Sequence, residues 1–291
     1  MTMQTNLDNE SLEIRLLLEA IYLKYGYDFR GYAQSTLRNS LQRQKAAAGL
    51  PSISAMQHLM LNDLVFFESM LMDFTVNVTT MFRDPSFFTS VRSDILPGLR
   101  ERTPLKVWSA GCSTGEEVYS LAIMLHEAGI YDRARIYATD IDQVALHKAS
   151  LGVYPIDRMQ EYSHNYRGAG GEHSFVDYFC ADDHLVMMSE MLKRNIVFSD
   201  HNLVSDAVFG EMDLIVCRNV LIYFDQELQT RVLQLLRSSL RPGGFLCLGS
   251  SESVKLRDFD PYFEEVSGVE RIYKRVECKR AELRLVDCQR A

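Results

Sequence analysis

Several things are missing from this chain of 291 residues, and each absence closes a class of function. No uninterrupted apolar run approaches the roughly 18 residues of a membrane span, and the opening MTMQTNLDNE lacks the basic-then-apolar layout of a secretory signal. A cytoplasmic protein that does not insert into a membrane is expected. The six cysteines, Cys112, Cys180, Cys217, Cys247, Cys278 and Cys288, include no CxxC pair, which argues against a zinc site and against a secreted disulfide framework. Most are expected to be small core hydrophobes. The seven histidines form no HExxH or paired-ligand spacing, so no metal is expected. A basic excess is lacking too: 31 Lys and Arg stand against 39 Asp and Glu, a net charge of −8 that disfavours nucleic acid as a partner.

What is present suits one large or two modest domains, since a 47% apolar fraction is ample for a buried core. From Asn9 to about Phe74 the pattern is helical, with Leu12, Leu16, Glu19 and Leu23 punctuating one segment and Leu37, Leu41 and Ala48 another. Leu59, Leu64, Phe67, Leu71 and Phe74 mark the later ones, and Gly31, Gly49 and Pro51 the breaks. Charge is uneven here: Lys24, Arg30, Arg38, Arg43 and Lys45 face Asp28 alone. That run reads either as a solvated helix face or as a docking surface for an acidic protein, with Arg38 and Lys45 on one face of the second helix, opposite its apolar stripe.

After Val76 short apolar runs alternate with helical periods: LKVWSA, EEVYSLAIMLHEA, RIYATD, DQVALHKAS, then DLIVCRN, QELQTRVLQLLRSSL, GGFLCLGS and ERIYKRVE. Such alternation predicts an α/β fold with a doubly wound, mostly parallel sheet. Pro242 and Gly243 read as a stop between a helix and the next strand. Between Leu151 and Val197 the alternation breaks, and FVDYF and HLVMM predict a small antiparallel addition to the sheet. The expected domains are residues 1–75, helical, and residues 76–291, with the insertion at about 160–195.

Within the second domain, VWSAGCSTGEE (Val107 to Glu117) breaks from an apolar run into small residues and then into acids that open a helix. Ala110, Gly111, Ser113 and Gly115 leave room for backbone N–H groups to approach a ligand, although a tight strand-to-helix turn uses the same residues. The next apolar run, RIYATDID, ends on Asp140, and an acid there can accept the ribose hydroxyls of an adenosine. Three more constellations flank this loop. NVTTMFRDPSFF places Asn77, Thr79, Thr80 and Arg83 before a helix that Asp84 and Pro85 are expected to start. HNL (His201 to Leu203) and CRNVLIYF (Cys217 to Phe224) supply polar residues where strands end, with Asn219 and Tyr223 the two that core packing does not explain.

Together NVTTMFRD, WSAGCSTGEE, ATDID and CRNVLIYFD, in that order, resemble the CheR family of chemotaxis receptor methyltransferases, from the helical first domain to about Arg275. The resemblance implies a class I, Rossmann-like S-adenosylmethionine fold behind a small all-helical domain. It also implies transfer of a methyl group to glutamate side chains of chemoreceptors, with S-adenosylhomocysteine as product. By the same resemblance Asn77, Thr79, Arg83, Glu117, Asp140, Asn202, Leu203, Asn219 and Val220 surround the cofactor, Ala110 and Gly111 line its pocket, and Arg83 and Tyr223 lie nearest the transferred methyl. Arg38, Arg43 and Lys45 are then the receptor-docking residues of a monomer recruited to receptor arrays.

The insertion departs from the family's pattern. Members that hold an acidic receptor tether peptide use basic residues there, and this chain has no Lys or Arg from His173 to Met191. Use of the tether is therefore not expected. The glycine-rich GAGGEH and the tail CKRAELRLVDC have no reading. A nicotinamide-dependent oxidoreductase would share the glycine loop but has no use for NVTTMFRD. A nucleic-acid amino-methyltransferase would need a DPPY-like or NPPY-like tetrapeptide, which the chain lacks. A non-catalytic adaptor that only binds the cofactor remains as the alternative, opposed by the intact Arg83, Glu117, Asp140, Asn219 and Tyr223.

Overall fold

The computed structural model describes residues 8–74, 79–252 and 261–277. The chain forms two compact units: Met1–Asn77 with Tyr223–Val232, and Val78–Ile222 with Leu233–Ala291.

In the first unit four helices follow one another, α1 (Asn9–Tyr25), α2 (Gln34–Ala47), α3 (Ile53–Asn62) and α4 (Leu64–Phe74). Each boundary has a local cause. Asp8 caps α1 by accepting from the Ser11 N–H, Gly26 ends it in the left-handed region (φ 80°), and Ser52 caps α3. Leu17, Leu18 and Ile21 of α1 are buried with Leu37 and Leu41 of α2, Met56 and Met60 of α3, and Phe67 and Phe74 of α4. Burying each such side chain contributes about 1.5–3 kcal/mol. The leucines that mark the helical period of α1 are not its buried ones. Leu12, Leu16 and Leu23 are 46%, 52% and 74% exposed. The core uses the residues beside that stripe, Leu17, Leu18 and Ile21, and α1 packs against α3.

The returning segment joins this unit by backbone pairing. The Ala33 N–H donates to the Tyr223 carbonyl at 2.8 Å and the Asp225 N–H to the Gly31 carbonyl at 2.9 Å. A Cβ on Gly31 would lie 3.0 Å from Leu228 Cδ2, so this contact favours glycine.

The second unit begins with α5 (Pro85–Ser90), a turn of π-helix and α6 (Leu96–Leu99). Then follow β1 (Leu105–Ala110), α7 (Glu116–Glu127), β2 (Ala134–Asp140), α8 (Gln143–Leu151), β3 (Val153–Pro155), α9 (Met159–Gly168), β4 (Phe179–Ala181), β5 (Leu185–Met188) and α10 (Glu190–Lys193). It closes with β6 (Ile196–Asp200), β7 (Met212–Cys217), α11 (Gln226–Ser239, whose first turns belong to the helical unit), β8 (Leu240–Leu248), β9 (Phe263–Ser267) and β10 (Ile272–Arg275). The main sheet has seven strands in the order β6-β2-β1-β7-β8-β10-β9. The first five are parallel, and β10 runs antiparallel to both its neighbours, β8 and β9. From β1 the chain winds one way to β2 and β6 and the other way to β7 and β8, so a crevice opens at the carboxyl ends of β1 and β7.

The insertion is a sheet of its own, three strands in the order β3-β5-β4, rather than an addition to the main sheet. FVDYF is mostly a 3-10 turn (Phe175–Tyr178), and the third strand comes from Val153–Pro155, outside the boundaries expected for the insertion. The Glu127 carboxylate of α7, nearly fully buried, ties this region down. It accepts from Arg92 Nη2 at 2.5 Å, from the Tyr178 hydroxyl at 2.9 Å and from the Tyr166 hydroxyl. A carboxylate survives burial only when its lone pairs are met in this way. The Pro242–Gly243 stop also differs from expectation: β8 begins at Leu240, directly after α11, and absorbs the pair through a register shift opposite Met212 and Leu214.

Candidate functional site

The glycine loop takes the backbone course its residues permit. Gly111 (φ 77°), Ser113 (φ 50°) and Gly115 (φ 92°) are left-handed, and the Gly111 and Cys112 N–H groups both donate to the Thr139 carbonyl, at 2.8 and 2.9 Å. A Cβ on Gly111 would stand 2.4 Å from Val220 Cγ2, and one on Gly115 would stand 2.8 Å from Ala149 Cβ. The first contact brings the loops after β1 and β7 against each other and the second seats the loop on α8, so the loop's glycines serve both the turn and close approach.

Asp140 ends β2 beside this loop and is 8% exposed. Its Oδ2 accepts from the Ser113 N–H at 2.7 Å and its Oδ1 from the Asp142 N–H at 3.0 Å. Burial pushes its carboxyl above the ordinary value, while the Asp142 and Ser113 amides pull the other way. The carboxylate is therefore fixed in plane by backbone donors, with acceptor capacity left for a hydroxylated ligand. From β6 the His201 N–H donates to the Asp140 carbonyl at 3.1 Å. The turn that follows is closed by Asn202, whose Oδ1 accepts from the Val204 N–H at 2.9 Å and whose own N–H donates to Asp206 Oδ2 at 2.8 Å. Leu203 is buried in that turn.

Glu117, in the first turn of α7, faces a buried cation that the sequence reading missed. Arg218 Nη1 donates to Glu117 Oε2 at 3.1 Å and to the Arg83 carbonyl at 3.2 Å, and Nη2 pairs with Asp84 Oδ2 at 2.6 Å. Burial raises the Glu117 carboxyl above its usual range, opposed first by Arg218, then by the Arg83 charge and the Ser109 hydroxyl. Arg83 is flanked by Phe82 (φ 51°) and Asp84 (φ 57°), both left-handed without being glycine. The helix after them starts at Pro85 as expected, yet Asp84 does not cap it, because its side chain is committed to Arg218.

The segment before Arg83 is held by other elements of the same unit. Arg158 Nη2 donates to the Thr79 carbonyl at 3.3 Å, the Thr80 hydroxyl to Glu161 at 2.7 Å, Asn165 Nδ2 to the Met81 carbonyl at 3.1 Å, and the Phe82 N–H to Ser120 Oγ at 2.8 Å. Glu252, fully buried, does similar work downstream: its Oε1 accepts from the Val220 N–H at 3.0 Å, and Asn219 beside it is left-handed at φ 59°. Gly249 makes room for it, since a Cβ there would meet Glu252 Oε2 at 2.3 Å.

The structure thus gathers Ala110, Gly111, Glu117, Asp140, Asn202, Leu203, Asn219 and Val220 around the ends of β1, β2, β6 and β7, with Thr79 and Arg83 on the segment leading to α5. Tyr223 belongs to the helical unit, paired there with Ala33. Asn77 lies outside the described residues, as do Cys278 and Cys288. Cys112, Cys217 and Cys247 are buried and Cys180 is exposed. Arg218 and Glu252 were legible only as charged residues next to apolar runs.

Residues 77–271 match the family described as CheR methyltransferase, SAM binding domain, and residues 12–75 match CheR methyltransferase, all-alpha domain. The chain belongs to the CheR methyltransferases. It is 45% identical over 267 residues, 92% of its length and 98% of the relative's, to "Putative methyltransferase Cher3" of Pseudomonas putida. To the "Chemotaxis protein methyltransferase" of Listeria monocytogenes it is 36% identical, covering 66% of this chain and 71% of that one. A relative of the same name from Vibrio parahaemolyticus is 37% identical over 62% of this chain and 66% of its own.

S-adenosylmethionine is the cofactor of this CheR domain, and the crevice suits it chemically. A carboxylate with spare acceptor capacity fits a ribose, a half-buried carboxylate at a helix start fits an ammonium group, and a loop of small residues with Gly111 and Gly115 admits close backbone approach. Among the described residues no helix is long and apolar enough to cross a membrane.

Proposed function

We propose that this protein methylates glutamate side chains of chemoreceptors, forming glutamate methyl esters and S-adenosylhomocysteine. The observation that carries the reading is the Arg83 corner, a left-handed turn tied through Arg218 to the half-buried Glu117 beside the cofactor crevice. Relatives named for chemotaxis methylation support the substrate class.

S-adenosylmethionine supplies, when bound, a methyl group already activated on a sulfonium. Within the chain, Asp140 holds the ribose hydroxyls, the Asn202–Leu203 turn borders the adenine, and Glu117 takes the ammonium. Thr79, Asn77, Asn219 and Val220, with Ala110 and Gly111, shape the rest of the pocket. The acceptor oxygen forms its bond to the methyl carbon as the carbon–sulfur bond breaks and its electron pair stays on sulfur, so no proton moves. An ionised glutamate, with a reference pKa of about 4.3, needs no general base. Alignment is what remains for the protein to supply, and holding a reacting oxygen about 3 Å from the methyl in line supplies on the order of 7 kcal/mol. Arg83 steers the incoming carboxylate and Tyr223 fixes its angle through its hydroxyl. An over-tight ion pair at Arg83 would slow the step by stabilising the ground-state carboxylate more than the charge-dispersed transition state.

The monomer meets its receptor through the α2 residues Arg38, Arg43 and Lys45 and dispenses with a tether. Transfer of radiolabelled methyl to the cytoplasmic fragments of the host's receptors, with and without their carboxyl-terminal residues, tests all of this. Base-labile label that is insensitive to truncation is expected. Tight S-adenosylhomocysteine binding with no label on any receptor would favour a non-catalytic adaptor instead.

A further inference from the structure

We infer that Arg218 is a positioning residue, whose guanidinium fixes the Arg83–Asp84 corner and the Glu117 carboxylate at one spacing so that both act on the same crevice. It follows directly on β7, all six residues of which are buried, and its own side chain is only 2% exposed. Its acceptors come from two other segments: Glu117 opens α7, while Asp84 and the Arg83 carbonyl precede α5. The guanidinium carbon lies 4.0 Å from the centroid of the Phe87 ring, so the plane of the fork is set by stacking.

Neutralising a buried carboxylate needs one cation near one acid. This side chain does more than that. Nη2 reaches Asp84 at 2.6 Å while Nη1 divides between Glu117 and the Arg83 carbonyl, at 3.1 and 3.2 Å, a span that a planar fork covers and a single ammonium does not. The corner it holds is one that would relax if released, because Phe82 and Asp84 are both left-handed. The corner is also tied by the Phe82 N–H to Ser120 Oγ at 2.8 Å and by the Phe87 N–H to the Asp84 carbonyl at 2.9 Å, while the Asp84 carboxylate pairs with Arg218. Burial drives the Glu117 carboxyl upward, and Arg218 is the strongest influence pulling it back, so removing Arg218 weakens Glu117 as a partner for a cationic ligand. The kinetic part of this inference rests on the proposed methyl transfer; the binding part does not.

Three variants separate the parts: Arg218→Lys, which keeps the charge and loses the fork, Arg218→Met, which loses both, and Asp84→Asn. With receptor fragments as acceptor, Arg218→Lys is expected to bind S-adenosylhomocysteine nearly as wild type while kcat falls about 100-fold, the scale of a 1 Å misplacement. Asp84→Asn should reproduce that loss, and the double variant Asp84→Asn with Arg218→Lys should lose little more. Wild-type kcat in Arg218→Lys, or losses that multiply in the double variant, would overturn the inference. For Arg218→Met, calorimetry should show affinity for S-adenosylhomocysteine lower by about 10-fold, the scale of a lost charged hydrogen bond. Adding Arg218→Met to Glu117→Gln should then cost little beyond Glu117→Gln alone; full additivity would sink the claim that Arg218 acts through Glu117. If Arg218→Met does not fold, the lysine variant still decides the question. Wild-type protein that transfers no methyl to any receptor fragment would reject the receptor reading, and the Glu117 binding cycle would judge Arg218 on its own.

Discussion

Charge is handled in opposite ways in the two units. At the strand ends, buried charges are met by donors or acceptors at fixed geometry: Asp140 by backbone amides, Glu252 by the Val220 amide, and the Arg218 guanidinium by the half-buried Glu117 and the more exposed Asp84. On the helical unit the charges are exposed or half-exposed and pair with one another at the surface. Arg30 meets Asp28 at 2.8 Å and Glu19 at 3.1 Å, and Arg38 meets Glu10 at 3.5 Å. Buried charge is costly unless its partners are exact in place, so the fold spends its geometry there; solvated pairs contribute little and leave the surface free for recognition. Three of the five cations that made the first unit look basic are thus already engaged inside it, Arg30 and Arg38 in ion pairs and Lys24 at the Leu61 carbonyl.

Breaking the buried set should cost the most. Arg83→Ala is expected to abolish methyl transfer while circular dichroism and S-adenosylhomocysteine binding show a folded protein; full activity would sink its assigned role. Gly111→Ala comes next. The new Cβ meets Val220 Cγ2 at 2.4 Å and sits at φ 77°, so cofactor binding should be lost and the melting temperature should fall. The backbone part alone costs about 1–2 kcal/mol. Pairing it with Val220→Ala removes the clash but not the strain, and so should recover part of the melting temperature.

A smaller effect follows from the raised carboxyls. Burial lifts Glu116, Glu117, Asp140 and Glu252 above their ordinary values. A carboxyl with a raised folded-state value favours the folded state below its unfolded value, and that contribution is lost as pH rises through the folded one. The ligand-free protein should therefore lose stability from these groups as pH climbs from the ordinary carboxylate range towards neutrality. Because the proposed cofactor contacts use ionised Asp140 and Glu117, the melting shift caused by S-adenosylhomocysteine should grow over the same range. Asp140→Asn should flatten that growth and lower affinity by about 10-fold or more, the worth of a charged hydrogen bond. A shift independent of pH in wild type would argue that neither carboxylate contacts the cofactor in its charged form.

Sequence showed the backbone-built half of this arrangement and hid the side-chain half. Gly111, Asp140 and Asn219 stand where a strand runs out into small or polar residues, and that local signal needs no knowledge of the partner. Arg218 pairs with groups 101 and 134 residues away, and no spacing along the chain announces such a clamp. The helical period of α1 was equally legible, but period alone does not say which face is covered, and Leu12, Leu16 and Leu23 proved to be the outer one. The small sheet was visible as a break in alternation, yet its strand β3 was not, because Val153–Pro155 pairs with Leu185–Met187 across the whole of α9. Asp84 reads as a helix cap until its side chain is seen on Arg218.

The weakest expected effect belongs to the helical surface, and it is the one that sharpens the contrast. Arg38 is half-exposed and hydrogen-bonded to Ser11 Oγ at 2.7 Å, with Glu10 beyond it. Arg43 is exposed at the edge of a hollow of about 260 Å³ that it shares with Tyr32, Asn39 and Phe74. Surface pairs of this kind contribute under about 1 kcal/mol, so Arg38→Ala, Arg43→Ala and Lys45→Ala should each leave the melting temperature and S-adenosylhomocysteine affinity almost unchanged. If α2 is the docking face, all three should raise KM for the receptor fragment, leave kcat alone, and do so more at low salt than at high, because exposed charges are screened over about 10 Å at 0.1 M ionic strength. Unchanged KM at low salt in the triple variant would move docking off α2, and a fall in kcat would mean that these side chains reach further into the chemistry than a solvated face does.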